Sequence, residues 1–226
     1  APDALLDLET RIQAVAGRVD TDFDWDETKN LGLFTYLFAS RAGRNPALVK
    51  LVRNNLLASA DEIVQSAERD PYARPLGSRY YWGCNGGVAR QTLVLMAADR
   101  LTTSKPRPRA VAHGAELLMW KSHPQPAQIS LYRATALDAV NHLLGRNCYG
   151  RSYVTGIGFD PPLHPHDRRD NGEYLNHPWP GYLIGGPHPR ATDWHDEQGD
   201  FRTNEIAINW NAALVYALAA FLPESR

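Results

Sequence analysis

The sequence predicts an all-α protein in which helices carry a long set of ordered loops. Three observations predict it. Apolar residues recur at helical spacing in seven segments, most of them bounded by capping residues, proline or glycine. No alternating apolar–polar run is long enough to read as a confident strand. Between Gly145 and Asn204, 60 residues hold nine of the 17 Gly, seven of the 16 Pro and five of the eight His, a composition that builds loops rather than helices.

The first helix opens at Pro2-Asp3 and ends at Gly17. Leu31, Phe34, Leu37 and Phe38 line one face of the second, expected from Asp26 to Gly43. Asn45-Pro46 is an N-cap followed by proline at the first helical position, and Leu48, Leu51, Val52 and Leu56 continue at helical spacing toward Asp70-Pro71. Further helices are expected over Gly87 to Leu101, Pro108 to Lys121 and Ala127 to Leu144, with Gly145 as the stop. The last runs from Asn204 to Phe221, with Thr203 or Asn204 as its cap and Glu205 in its first turn, where an acid suits the positive end of the helix.

Composition narrows the function. The 226 residues suffice for one domain with a substantial core, and a formal net charge of −1 gives no basic face for nucleic acid. No apolar run approaches the roughly 20 residues of a membrane span, and the opening "APDALLDLET" does not read as a signal peptide. Cys84 and Cys148 are too few for a disulfide framework or a thiolate metal site. They read as two free buried thiols, a single bridge being the alternative.

The region from Gly145 to Asn204 carries Tyr149, Tyr153, Tyr174, Trp179, Tyr182 and Trp194, which a disordered linker would mostly lack. It reads as ordered loops building a site on a helical scaffold. Glycosidic hydrolysis needs one carboxylic acid to protonate the leaving oxygen and a second carboxylate opposite. Glu205, flanked by Ile206, Ile208, Trp210 and Phe201, is the donor candidate, since partial desolvation raises a carboxyl pKa. Its alternative role is structural, at a helix start. Asp196 could orient it or form a turn.

In "PPLHPHDRR", His164 and His166 with Asp167 invite a metal reading, although no third ligand is evident by spacing. Alternatively His166 and Arg168 project together as donors to hydroxyls. Gly185-Gly186 marks either a close backbone approach to a ligand or only a turn. Trp82 in "YYWGCNGG" and Trp25 in "DFDWDETK" are candidate stacking surfaces, with core packing and a solvated helix start as their respective alternatives. No nucleotide-binding glycine fingerprint and no nucleophilic serine elbow are present.

Together these segments resemble glycoside hydrolase family 9, the inverting endoglucanases and cellodextrinases. "LLGRNCYGRSYVTGIG" followed by Pro165, His166, Asp167 and Arg168 resembles the family's first signature. "WHDEQGDFRTNEIAINWNA" resembles the second, with Trp194, Asp196, Phe201, Glu205, Ala207, Asn211 and Ala212 in every specified place. Trp25-Asp26 and Trp82-Gly83 are weaker echoes. Asp160, Cys84, Cys148 and Asn209 depart from the family's usual residues.

The resemblance implies part of an (α/α)6 barrel, roughly its second half, with long loops at the active-site face. It implies Glu205 as general acid, Asp196 supporting it, His166 and Arg168 on substrate hydroxyls, and Trp82, Trp210, Trp25 and Tyr153 lining sugar subsites. The family's base-bearing Asp-Ala-Gly-Asp motif does not occur here. Residues 1–226 are therefore expected to be the C-terminal portion of a catalytic domain, inactive alone, with the N-terminal half as partner and a β-glucan or cello-oligosaccharide as substrate. No cofactor is implied for the chemistry, a structural calcium ion is allowed, and export or a periplasmic location follows from a polymeric substrate. The rival readings are a noncatalytic carbohydrate-binding protein that kept the cleft and a histidine-ligated metalloenzyme.

Overall fold

The computed structural model describes residues 2–103, 129–167 and 178–222. Its helices are α1 (Pro2–Val15), α2 (Lys29–Phe38), α3 (Pro46–Arg69), α4 (Cys84–Thr103), α5 (Leu131–Leu143), the single turn α6 (Phe201–Asn204) and α7 (Ile208–Ala219). Among the described residues the extended pairing amounts to three isolated bridges, so the all-α expectation holds. The helix expected over Pro108 to Lys121, together with Arg168 and Tyr174, lies outside the described residues.

Helix α3 forms for local reasons. The Asn45 side chain accepts hydrogen bonds from the Ala47 and Leu48 N–H groups, Pro46 presets the first turn, and Leu48, Val52, Leu56, Ala60, Ile63 and Ala67 fall on one buried face. Helix α2 is shorter than its periodicity suggests. It starts at Lys29 and stops at Phe38, because the Arg44 guanidinium turns back and donates to the carbonyls of Tyr36 (2.6 Å) and Leu37 (3.0 Å).

Helix α4 is the central element. It packs on α3, α5 and α7, and it is buried on nearly every side. One apolar cluster joins it to α1, α2 and α3 through Val94, Leu95 and Ala98. A second joins it to α5, α7 and the loops through Cys84, Val88 and Ala89. It begins three residues earlier than expected, at Cys84, and so places Gly86 and Gly87 inside a helix. A Cβ on Gly86 would lie 2.3 Å from Trp210 Cδ1, so the missing side chain is what lets α7 pack this closely.

Outward-facing α7 residues include Ile208 (91% exposed) and Val215 (66% exposed), an apolar surface with no cover from the described residues. Among the described residues no helix is long and apolar enough to cross a membrane.

Candidate active site

Glu205 does not sit in a helix. Its backbone is extended, in the short link between α6 and α7, and Asp200 rather than Thr203 or Asn204 caps the preceding turn. The sequence-based placement in a first helical turn is thus corrected. The cause is tertiary pairing, with His166 bridging to Glu205 in parallel and Ile184 bridging to Ile206 antiparallel. The Glu205 carbonyl accepts from Gly185 N–H (2.8 Å), and the Gly185 carbonyl accepts from Asn85 N–H (3.0 Å) in the first turn of α4. A ladder therefore runs from the central helix to the acid.

The Glu205 side chain is half-buried, and its Oε2 is buried without a hydrogen-bond partner among the described residues. It borders a cleft of about 680 Å³ whose polar lining includes His166, Asp167, Tyr182 and Asn211. The apolar lining comes from Ile206, Ala207, Ile208, Ala212 and Val215.

His166 stands across the same bridge. Its Nδ1 lies 2.6 Å from the Gln198 carbonyl, which only accepts, so Nδ1 donates that bond and Nε2 is left for a second partner. Its ring centroid is 6.2 Å from that of the exposed Phe201. Asp196 does not bond Glu205 directly. Its carboxylate accepts from Leu163 N–H (2.8 Å), His164 N–H (2.9 Å) and Asn204 Nδ2 (3.2 Å), with Arg151 Nη2 3.5 Å away. It fastens the segment that presents His166.

Asn204, read from sequence as a cap, is the hub of this assembly. Its Nδ2 donates to the His164 carbonyl (2.6 Å), its Oδ1 accepts from Trp194 Nε1 (3.1 Å), and its carbonyl accepts from His166 N–H (2.8 Å). Burial alone would raise the Asp200 carboxyl, but hydrogen bonds from Thr203, His195 and the Arg202 N–H outweigh it and hold the group below its usual range.

The aromatic candidates divide. Trp82 is 50% exposed and Trp25 is 69% exposed, as stacking surfaces must be. Trp210 and Tyr153 are buried at 2% and 1% exposure, which corrects their assignment to sugar subsites. The Trp210 indole is clasped by Gly83, Gly86 and Gly185, and the exposed ring of Trp82 packs edge-on against it at 5.5 Å between centroids. Tyr153 packs edge-on against Trp194 at 5.3 Å. The Gly185-Gly186 approach is likewise to protein, since a Cβ on Gly186 would sit 2.4 Å from the Asn85 side chain.

Among the described residues no group of three or more His, Cys, Asp or Glu side chains gathers as a metal site, around His164 and His166 or elsewhere. Both cysteines are free. Cys84 is buried as expected, but Cys148 is exposed. Sequence reasoning missed Asn204 as a hub and Arg151 beside Asp196, and it named Tyr182 only as one of the loop aromatics, without a place in the cleft.

The chain matches the family model described as Glycosyl hydrolase family 9 over residues 6–218. It is 46% identical over 218 residues to endoglucanase D of Acetivibrio thermocellus, covering 96% of this chain and 31% of that protein. It is 30% identical over 224 residues to the xyloglucan-specific endo-beta-1,4-glucanase BoGH9A of Bacteroides ovatus, covering 92% and 34%. Among solved structures, the GH family 9 endoglucanase J30 aligns with a TM-score of 0.75 at 26% identity, over 98% of this chain and 39% of that one. The Bacteroides ovatus GH9 structure aligns with a TM-score of 0.70 at 32% identity, over 91% and 34%. The chain spans about a third of the length of the curated relatives it matches. Its helices are part of an (α/α)6 helical toroid, as expected from the sequence.

Proposed function

Because the chain belongs to glycosyl hydrolase family 9, we propose that it contributes the proton donor, Glu205, to a β-1,4-glucan hydrolase. The observation that carries this reading is the Glu205 carboxyl itself, with Oε2 buried and unbonded at the edge of a cleft while its backbone is tied to the central helix. A structural acid would be expected to spend its oxygens on nearby donors, as Asp196 and Asp200 do. The relatives named as endoglucanases support β-1,4-glucan as the substrate class.

In the proposed mechanism Glu205 protonates the glycosidic oxygen as the bond to the anomeric carbon breaks. A second carboxylate, about 6.5–9.5 Å away in an inverting enzyme, draws the proton from a water that attacks the opposite face. That base lies outside these 226 residues, in the remainder of the catalytic domain, which also covers the exposed Ile208 and Val215 on α7. His166 holds a sugar hydroxyl through Nε2, fixed by its Nδ1 bond to Gln198. The exposed rings of Trp82 and Trp25 stack on sugar faces. Arg168 is assigned to a hydroxyl on the strength of the resemblance alone. The substrate is a polymer outside the cell, so the enzyme acts after export.

The test is cleavage of cellopentaose by the complete protein, with the anomer of the new reducing end followed by NMR. An initial α-anomer from the β-linkage supports inversion, and an initial β-anomer contradicts it. Binding without cleavage would move the assignment to a noncatalytic carbohydrate-binding protein. The isolated 226-residue chain is expected to show no turnover.

A further inference from the structure

The loop between α1 and α2 carries Trp25, and two carboxylates within it anchor that loop in different directions. Asp22 accepts from the Tyr81 hydroxyl (2.8 Å to Oδ2) and from Arg79 Nη2 (2.9 Å), in the segment that continues directly into Trp82. Asp24 accepts from Asn209 Nδ2 at 2.8 Å, in the first turn of α7, only four residues beyond Glu205. The same Asp24 oxygen accepts the Trp25 N–H at 2.7 Å and faces Arg90 Nη1 at 3.2 Å. Arg90 belongs to α4 and is 6% exposed, and no guanidinium nitrogen of it has a well-formed hydrogen bond among the described residues. Asp24 is therefore the counter-charge of a buried cation, the acceptor of Asn209 and the support of the Trp25 backbone at once.

We propose that Asp24 and Asn209, with the buried Arg90 guanidinium behind them, are positioning residues that hold the exposed Trp25 in register with Trp82. The inference rests on the glucan-hydrolase reading and adds to it a device that sets sugar affinity. Asp24 contacts Asn209, Arg90 and the Trp25 backbone, so the three residues act through Trp25. The neutral amide at Asn209 matters, because it donates to a carboxylate already committed to Arg90. A carboxylate at that position would face Asp24 across hydrogen-bond distance, and like charges so placed repel. A stacking surface contributes equally to bound substrate and transition state, so loosening it raises KM and leaves kcat in place.

The experiment uses the complete hydrolase carrying this chain, with cellopentaose as substrate. Asn209→Asp is expected to raise KM about tenfold while kcat stays within about twofold. The exchange Asp24→Asn with Asn209→Asp re-forms an amide–carboxylate bond with the roles reversed and keeps one negative charge facing Arg90. It is expected to return KM to within about threefold of wild type. If Asn209→Asp fails to fold, Asn209→Ala removes the donor without adding charge and should raise KM by about threefold. A merely structural role would lower kcat or melting temperature without this split. An unchanged KM, a fall in kcat alone, or no recovery in the exchanged pair overturns the proposal while leaving the hydrolase reading intact. A wild-type protein that cleaves nothing removes both.

Discussion

In α3 the capping contacts reach two and three residues along the chain, from Asn45 to Ala47 and Leu48. Beneath Glu205 they reach much further, from Asp196 to Leu163 and His164 across 33 and 32 residues and from Asn85 to Ile184 across 99. The helix is held by many similar local bonds, so losing one removes a share of its stability. The loops are held by a few side chains, Asn204, Asp196 and Trp210, each of which joins segments far apart in the chain. Damage there should be larger and should reach the acid.

The strongest test of that contrast is Trp210→Ala. The indole is fully enclosed between α4 and the Gly185 segment, and its removal should cost about 3–5 kcal/mol in urea denaturation. Asp196→Ala should cost about 1.5–3 kcal/mol, because bonds to a charged acceptor are lost, and kcat/KM on cellopentaose should fall with it as His166 shifts. Next comes pH. Burial drives the His142 imidazole down to about 3 from 6.5, with the nearby Arg74 charge adding to the effect.

The folded state therefore keeps His142 neutral while the unfolded chain takes up a proton. Stability is fully present above about 6.5 and falls by about 1.4 kcal/mol per pH unit as pH drops toward 3. Denaturation midpoints at several pH values should show this slope, and His142→Phe should flatten it. The smallest effect is expected from Asn45→Ala, about 1 kcal/mol, with no change in activity. Were Asn45→Ala to cost more than Trp210→Ala, the contrast between local and long-range regions would collapse.

The helices were legible where their causes are local. Asn45-Pro46 announces α3, and its buried stripe follows from spacing alone. The end of α2 was not legible, because the group that terminates it is the Arg44 side chain, turned back over the chain. Glu205 and His166 could be picked out by residue type, and the structure brings them to one bridge, but their conformation was not legible. Glu205 is extended because it pairs with segments around Gly185 and His166, and no property of its neighbours in sequence reports that. Trp82 and Trp210 look alike on the page. Only the arrival of three glycines around one of them decides which ring is core and which is surface.

The most direct measurement compares Glu205→Gln with wild type, in the complete protein, on two substrates. One is cellopentaose, whose leaving oxygen needs a proton. The other is a dinitrophenyl cellobioside, whose leaving group departs as a stable anion. If Glu205 is the proton donor, the substitution should lower kcat on cellopentaose by about 10²–10⁴ and on the aryl glycoside by less than about tenfold. Equal losses on both substrates, or cellopentaose turnover that survives the substitution, would contradict the assignment.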